Sequence, residues 1–231
     1  STCLTRFSTP STVSSGEVGS KYQQVEVPVV NWEQALQDDY LLTGNTGDLD
    51  RGEVTDQTEI EIADAGHPMA GGLSAGVHTV TPSAQTFTWG YPESGSGEPE
   101  VVALLNDGSG NVGIYGYDDG ALLWDGTTEA PARRVHIFLQ NDGFANLTED
   151  GLTLFDAAIL WALGLDEWPP VEPEIADISV AGGNVTITWD GNASLQSGNA
   201  VDGPYETIAG AVSPYTEAIE AGATFYRLVL P

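Results

Sequence analysis

The chain has 231 residues, of which 34 are Asp or Glu and six are Lys or Arg, so its formal net charge is −28. A surface this acidic repels phosphate groups, and we therefore expect no binding to nucleic acid and no docking on anionic lipid. The acids are spread along the chain rather than gathered in a tail, which indicates a solvated folded surface.

Salt or calcium relieves the self-repulsion of such a surface. The composition therefore favours a protein that is secreted or held at the cell surface, in a bacterium of a marine or saline environment. A very acidic soluble protein of another origin is the alternative. Cys3 is the single cysteine, which excludes an internal disulfide. No run of about 18 apolar residues occurs, so the sequence predicts no membrane-spanning helix.

The first predicted strand covers residues 25–30, where β-branched residues indicate burial, and a helical stretch is predicted over residues 34–40. A strand that turns directly into a helix is where α/β folds place their chemistry. Glu33 stands at this point and could act as a general base with a raised pKa. The alternative is that Glu33 caps the helix or binds a neighbouring loop.

Residues 42–57 are rich in Gly, Asp and Thr and predict a loop. Asp48 and Asp50 give this loop closely spaced oxygen ligands that could hold calcium, with simple turn formation as the alternative. Alternation over residues 58–62 predicts a strand. His67 precedes a proline at a predicted helical turn, and we expect it either to share the cleft of Glu33 as a catalytic residue or to serve the turn.

Strand-like runs follow at residues 77–80, 101–105, 112–117 and 121–124, separated in part by hairpin sequences. They predict antiparallel strands added to the main sheet. The segment Gly72 to Gly76 matches the G-x-S-x-G pattern, but the strand and helix around it are in the wrong order for a serine hydrolase. Several aromatic residues could line a sugar-binding groove, with core packing as the alternative. They are Trp32, Trp89, Tyr91, Tyr115, Tyr117 and Trp124.

Residues 133–139 predict a central strand that begins with two of the six cations. Arg133 and Arg134 could bind an anionic substrate or a sugar carboxylate, and structural ion pairs are the alternative. The three histidines lack paired spacing, so no zinc site is predicted. Residues 151–163 form the best predicted helix, with Thr148 as its N-cap and an almost continuous apolar surface that predicts burial.

Prolines make residues 168–173 a stiff linker, and the remaining residues 174–231 read as short strands with turns. The sequence thus predicts three segments: an α/β domain over residues 1–167, the linker, and a small all-β domain.

Five stretches of the first domain carry a resemblance to a known family. They are residues 28–33 (PVVNWE), 67–74 (HPMAGGLS), 114–121 (IYGYDDGA), 130–135 (APARRV) and 147–158 (LTEDGLTLFDAA). In this order they resemble class I glutamine amidotransferase-like proteins, and most closely the ThuA-like (trehalose-utilisation-protein-like) branch. The resemblance implies a Rossmann/flavodoxin-like α/β fold that lacks its first half and carries added antiparallel strands.

The resemblance also bears on chemistry. Glu33 occupies the position of the amidotransferase cysteine, and the His-x-Glu pair of that family is replaced by Gln140, Asn141 and Asp142. Glutamine hydrolysis by that mechanism is therefore excluded.

The last domain resembles the fibronectin type III-like domains of large secreted bacterial proteins. The matching stretches are residues 194–197 (SLQS), 203–205 (GPY), 213–216 (SPYT) and 225–228 (FYRL). This resemblance implies a small β-sandwich.

Two functions fit these patterns. The first is a non-catalytic structural or interaction module that associates with itself or with another protein chain, as a subunit of an extracellular assembly or filament. The second is a ThuA-like carbohydrate-active enzyme or glycan-binding protein that uses Glu33 and His67. No cofactor is expected in either case, apart from calcium.

Overall fold

A computed structural model describes residues 7–166, 175–189, 193–219 and 222–229. The chain divides into two compact units, Ser1–Pro169 and Pro170–Pro231. Cys3 and the predicted linker over residues 168–173 lie outside the described residues.

The described part of the N-terminal unit contains nine strands, all in one sheet. They are β1 (Phe7–Thr9), β2 (Val29–Asn31), β3 (Arg51–Gln57), β4 (Glu59–Ile62), β5 (Gly76–Thr79), β6 (Gln85–Gly90), β7 (Glu100–Leu105), β8 (Val112–Tyr117) and β9 (Arg134–Ile137). The α-helices are α1 (Ser15–Val18) and α2 (Glu149–Ala162), and short 3₁₀ turns cover Gly19–Tyr22, Gln34–Leu36, Pro68–Ala70, Pro92–Ser94 and Asn141–Asn146.

The main strand order is β1-β2-β9-β8-β7-β4-β5, and β3 joins through β6, which pairs with β8. Strand β2 lies between β1 and β9 and runs parallel to both. From β8 onward every pairing is antiparallel. Because β1, β2 and β9 are parallel, their carboxyl ends meet at one edge of the sheet.

The prediction of a Rossmann/flavodoxin-like α/β fold is wrong. That fold alternates strands with crossover helices, whereas the described part of this unit is mostly antiparallel and has one α-helix longer than four residues. The expected helix over residues 34–40 is reduced to the 3₁₀ turn Gln34–Leu36 followed by turns. The predicted loop over residues 42–57 also ends in a seven-residue strand, β3, which pairs with β6.

The prediction of the long helix is confirmed. Helix α2 has Thr148 as its N-cap, and the side-chain oxygen of Thr148 accepts a hydrogen bond from the N–H of Gly151. Burial is less complete than the sequence predicts, because Leu152 is 42% exposed. Leu154, Ala158 and Trp161 form the buried face.

The two faces of the sheet cover different apolar clusters. Alternate residues of the parallel strands, such as Val30 and Val135, pack on the side of α2. Val29 packs on the other side with Leu36 and Tyr40, beside Tyr115 and Tyr117 of β8. Successive residues of a strand point to opposite faces, so the two residues that follow β2 also leave the sheet on different sides.

The described residues of the C-terminal unit form strands and turns. The strands are β10 (Ile175–Ala181), β11 (Asn184–Trp189), β12 (Ser194–Gly198), β13 (Glu206–Thr207), β14 (Tyr215–Ala218) and β15 (Phe225–Val229). They make two three-stranded sheets with the orders β10-β11-β14 and β13-β12-β15. Ile187 and Trp189 of the first sheet share a buried cluster with Leu195 of the second.

Candidate functional site

Glu33 lies just beyond the carboxyl end of β2. The turn that carries it is fixed by Asn31, whose amide nitrogen donates to the carbonyl oxygen of Glu33 at 3.0 Å while its Oδ1 accepts the N–H of Glu33 at 3.2 Å. The hydroxyl of Thr9, at the end of β1, donates to the same Oδ1 at 2.6 Å. The ends of two parallel strands are thereby tied together beneath Glu33.

The side chain of Glu33 caps the following turn. Its Oε1 accepts the backbone N–H of Ala35 at 3.1 Å, and the residue is only 9% exposed. Burial raises the pKa of Glu33, and the nearby charge of Glu53 raises it further, while the Ala35 hydrogen bond and the charge of Arg51 act in the opposite direction. The geometry therefore gives Glu33 the capping role and also the raised pKa of a candidate acid or base.

A polar group of side chains surrounds Glu33 on this side of the sheet. Arg51 pairs with Asp38, with 2.9 Å between Nε and Oδ1, and donates to Oε1 of Gln34 at 2.9 Å. The amide of Gln140, which follows β9, donates to Oε1 of exposed Glu53 at 3.0 Å. These contacts present amide and carboxylate groups from three separate segments at one edge of the sheet.

The opposite side of the same edge is aromatic. Trp32 packs edge-on against Phe155 of α2, with 5.8 Å between ring centroids. Phe155 in turn contacts Phe144 at 4.8 Å. Phe144 belongs to the turn after β9 and remains 48% exposed. Asn141 begins the same turn as Phe144; its side-chain amide donates to Oε1 of Gln140, and its backbone N–H donates to the hydroxyl of Ser11.

We refer to this region as the carboxyl-edge surface. It consists of Ser11, Trp32, Glu33, Glu53, Gln140, Asn141 and Phe144.

His67 does not join this surface. Its Nε2 lies 2.6 Å from Oε2 of Glu100, and its Nδ1 accepts the N–H of Met69 at 3.1 Å. Since Nδ1 is an acceptor here, the ring proton resides on Nε2 and points to the carboxylate. Glu100 begins β7, beside the carboxyl end of β8 and away from the end of β2. The structure therefore separates the two predicted catalytic residues.

The predicted anion-binding arginines are engaged within the protein. Arg133 donates from Nε to Asp118 at 2.7 Å, pairs with Asp166, and lies 4.5 Å above the ring of Trp161. Arg134 is fully buried. Burial lowers the pKa of Arg134 to about 10, so it stays charged at neutral pH. Its terminal nitrogens donate to the carbonyl oxygens of Gln23, Val25, Val27, Ala132 and Arg133.

Three of the six aromatic residues predicted to line a groove lie in the core. Trp89 is 6% exposed, and Tyr115 and Tyr117 are fully buried. The hydroxyl of Tyr117 donates to the carbonyl oxygen of Leu42 at 2.9 Å. These three side chains are thus placed for packing rather than for contact with a ligand from solvent.

The predicted calcium ligands serve turns. Asp50 accepts the N–H of Thr46 at 3.0 Å and the hydroxyl of Ser94 at 3.3 Å. The backbone N–H of Asp48 donates to the carbonyl oxygen of Arg51 at 2.9 Å. Over the ranges that the structure describes, no group of three or more His, Cys, Asp or Glu side chains is arranged to hold a metal ion.

Sequence reasoning missed Phe144 and Glu53. Phe144 is an aromatic residue inside the polar run Asn141–Asn146 directly after a central strand, which is a detectable signal. Glu53 gave no signal, because the strand that carries it was predicted as a loop.

Comparison of the chain with protein-family models, curated proteins and solved structures finds no match. The resemblances to ThuA-like and fibronectin type III-like domains therefore stay predictions. Among the described residues, no helix is both long and apolar enough to cross a membrane.

Proposed function

We propose that the chain is a non-catalytic binding module of a secreted or cell-surface protein, and that the carboxyl-edge surface holds a neutral glycan. The observation that carries this proposal is the half-exposed ring of Phe144, which is supported by Phe155 and lies in the turn that begins with Asn141, directly after Gln140. A sugar ring presents apolar C–H groups on its faces and hydroxyls at its rim. An aromatic face beside amide groups matches both features.

The charge of the surface selects among glycans. Glu33 and Glu53 lie at the polar side of the carboxyl-edge surface, and the whole chain has a net charge of −28. Uronate or sulfate groups would be repelled by these carboxylates. Neutral sugars lose nothing by this repulsion, and their hydroxyls can donate to the carboxylate oxygens.

The arrangement of the acid and base candidates supports binding rather than turnover. Oε1 of Glu33 is held by the N–H of Ala35, and His67 is directed to Glu100 in another part of the sheet. General acid and base groups must reach the same reacting bond. Glu33 and His67 do not share such a position.

Isothermal titration against neutral hexasaccharides of cellulose, xylan and chitin, with an alginate hexasaccharide as the acidic comparison, tests this function. We expect at least one neutral sugar to bind and the acidic sugar not to bind. Phe144→Ala should weaken that affinity about tenfold. Tyr91→Ala, which truncates another exposed aromatic residue, should leave it unchanged. Loss of affinity in both variants, or no binding of any neutral sugar, would refute the proposal.

A second candidate is a glycan-cleaving enzyme with Glu33 as its general acid. The observation in its favour is that burial raises the pKa of Glu33, a property of carboxylic acids that donate protons near neutral pH. The same oligosaccharides decide between the two functions. Release of new reducing ends by the native protein, abolished by Glu33→Gln without loss of folding, would favour the enzyme.

Association into an extracellular assembly is also part of the proposal. Strands β1 and β5 stand at the two ends of the main strand order, so each has one side without a partner strand among the described residues. Such edges can pair with a strand of another molecule. Sedimentation velocity over a wide concentration range tests this, and a strictly monomeric protein would contradict self-assembly through these edges.

A further inference from the structure

Among the described residues of the C-terminal unit, the edge strand leaves part of its inner face uncovered. In the pairing of β10 with β11, Ile178 lies opposite Ile187 and Val180 lies opposite Val185, so each pair shares one face of the sheet. Ile187 is fully buried and Val185 is 9% exposed, whereas Ile178 and Val180 are 53% and 66% exposed. In the part of the unit that the structure describes, the apolar row thus continues to the edge without a cover.

A cavity of about 530 Å³ opens beside this row. Its walls include Val180, Val185, Glu217, Ile219, Thr224 and Tyr226. Glu217 of β14 is the residue opposite Val185, which places its carboxylate on the inner face of the sheet. Among the described residues, the cavity therefore combines apolar and polar walls with one acidic side chain.

The carboxylate of Glu217 accepts hydrogen bonds from two phenols. The hydroxyl of Tyr215 donates to Oε2 at 2.8 Å, and the hydroxyl of Tyr226 donates to Oε1. Two donors on the two oxygens fix the direction of the group. A half-buried negative charge of this kind attracts a cation.

The C-terminal unit has no cation of its own to offer. Arg227 is the only Lys or Arg between Pro170 and Pro231. Its Nε donates to Oε1 of Gln196 at 2.8 Å, and its guanidinium stacks on Tyr205 at 4.4 Å. As the neighbour of inward-pointing Tyr226 in β15, Arg227 is directed to the opposite face. The positive charge must come from outside this unit.

We propose that β10 and this cavity accept an extended segment of a partner protein that carries an apolar residue and an arginine two positions apart. The segment adds to the free side of β10, its apolar side chain covers Ile178, and its arginine passes over Val180 to Glu217. The added strand would lie three strand spacings, about 14 Å, from β14. An extended Arg side chain, a Glu side chain and the hydrogen bond between them cover that span.

Charge decides between this partner and a second copy of the chain. A chain with 34 acids and six cations brings further negative charge to Glu217. A basic strand of another protein is therefore the matching occupant. This inference concerns the C-terminal unit and does not rest on the glycan proposal.

The test uses the full chain and two blocked peptides of alternating threonine and valine. One peptide carries a single arginine on its valine face, and the other carries citrulline, which has the same shape without the charge, at that position. We expect the arginine peptide to bind about tenfold more tightly than the citrulline peptide. Binding should also slow backbone hydrogen exchange over Ile175–Ala181.

A pair of matched variants tests whether Glu217 is the charge that the arginine of the peptide contacts. In Glu217→Gln the preference for arginine should disappear, whereas Glu206→Gln, which removes an exposed charge from β13, should retain it. Equal affinities of the native chain for the two peptides would overturn the proposal. A preference unaffected by Glu217→Gln would do so as well, and so would protection of β10 by self-association in the absence of peptide. The peptide comparison needs no variant, so it remains decisive if Glu217→Gln does not fold.

Discussion

His78 bridges an edge strand and a helix start, because its Nδ1 lies 2.8 Å from Oδ2 of Asp150 and its Nε2 lies 2.8 Å from the carbonyl oxygen of Ser74. Both partners are hydrogen-bond acceptors, and the protonated imidazole, which donates from both ring nitrogens, satisfies both of them. The hydrogen bond that His78 donates to Asp150 is the main cause that raises the pKa of His78. The contact between His78 and Asp150 therefore links β5 to the first turn of α2.

The stability of the N-terminal unit should therefore depend on pH through His78. A raised folded-state pKa contributes stability that is complete below the unfolded pKa of about 6.5 and is lost as pH rises through the folded pKa. Because Asp150 is partly exposed, we expect this rise in pH to lower the free energy of unfolding by about 0.2–1 kcal/mol. Urea denaturation of the native protein and of His78→Gln at about pH 5.5 and pH 8.5 measures it. Equal pH dependence in the two proteins would contradict the assignment.

Phe155 should be important for the support of Phe144. Truncation by Phe155→Ala removes contacts to both Trp32 and Phe144, and we expect a loss of about 2 kcal/mol in the free energy of unfolding, since the ring is only partly buried. Leu152→Ala, on the exposed side of α2, should cost less than about 1 kcal/mol. Thermal or urea unfolding compares the two variants. A larger loss in Leu152→Ala would show that the helix is oriented differently.

Arg134 should be irreplaceable by lysine. Its two terminal nitrogens serve five carbonyl oxygens inside the protein, and a single ammonium group offers only three donors. We expect Arg134→Lys to lower the free energy of unfolding by about 3 kcal/mol. Arg51→Lys, which alters an ion pair nearer the surface, should cost about 1 kcal/mol or less. Similar losses in both variants would argue against the structural role of Arg134.

Gly71 marks a close approach of the turn Pro68–Ala70 to α2. Its φ is +62°, and a Cβ at this position would lie 2.6 Å from Cγ2 of Thr153. Gly108 has a similar φ of +75° but open space around it. Gly108→Ala should therefore lower the free energy of unfolding by about 1 kcal/mol, through strain of the left-handed backbone alone. Gly71→Ala should cost about 2–3 kcal/mol, because the clash adds to that strain. Equal melting temperatures of the two variants would contradict the close contact.

Local signals in the sequence were sufficient for some elements. The Thr148 cap and the apolar run after it predicted α2, because both features act within a few residues of each other. The turn at Glu33 was also recognisable, since the β-branched strand stops there abruptly.

Structural features that depend on contacts between distant residues could not be predicted in the same way. The antiparallel partners of β7 and β8 are chosen by tertiary packing, so local patterns suggested additions to a parallel sheet rather than a mostly antiparallel one. Trp89 and Tyr117 looked the same in sequence as surface aromatics, and only the covering layers show that they are buried. The separation of Glu33 from His67 follows from strand order, which a single sequence does not encode locally.

The central claim is that a neutral glycan occupies the carboxyl-edge surface. The most direct measurement is a titration of isotope-labelled protein with the neutral hexasaccharide that binds best, followed by nuclear magnetic resonance. We predict the largest shift changes at the indole N–H of Trp32 and at the side-chain amides of Gln140 and Asn141, with loss of these changes in Phe144→Ala. Changes concentrated elsewhere, or no changes with any neutral sugar, would contradict the claim.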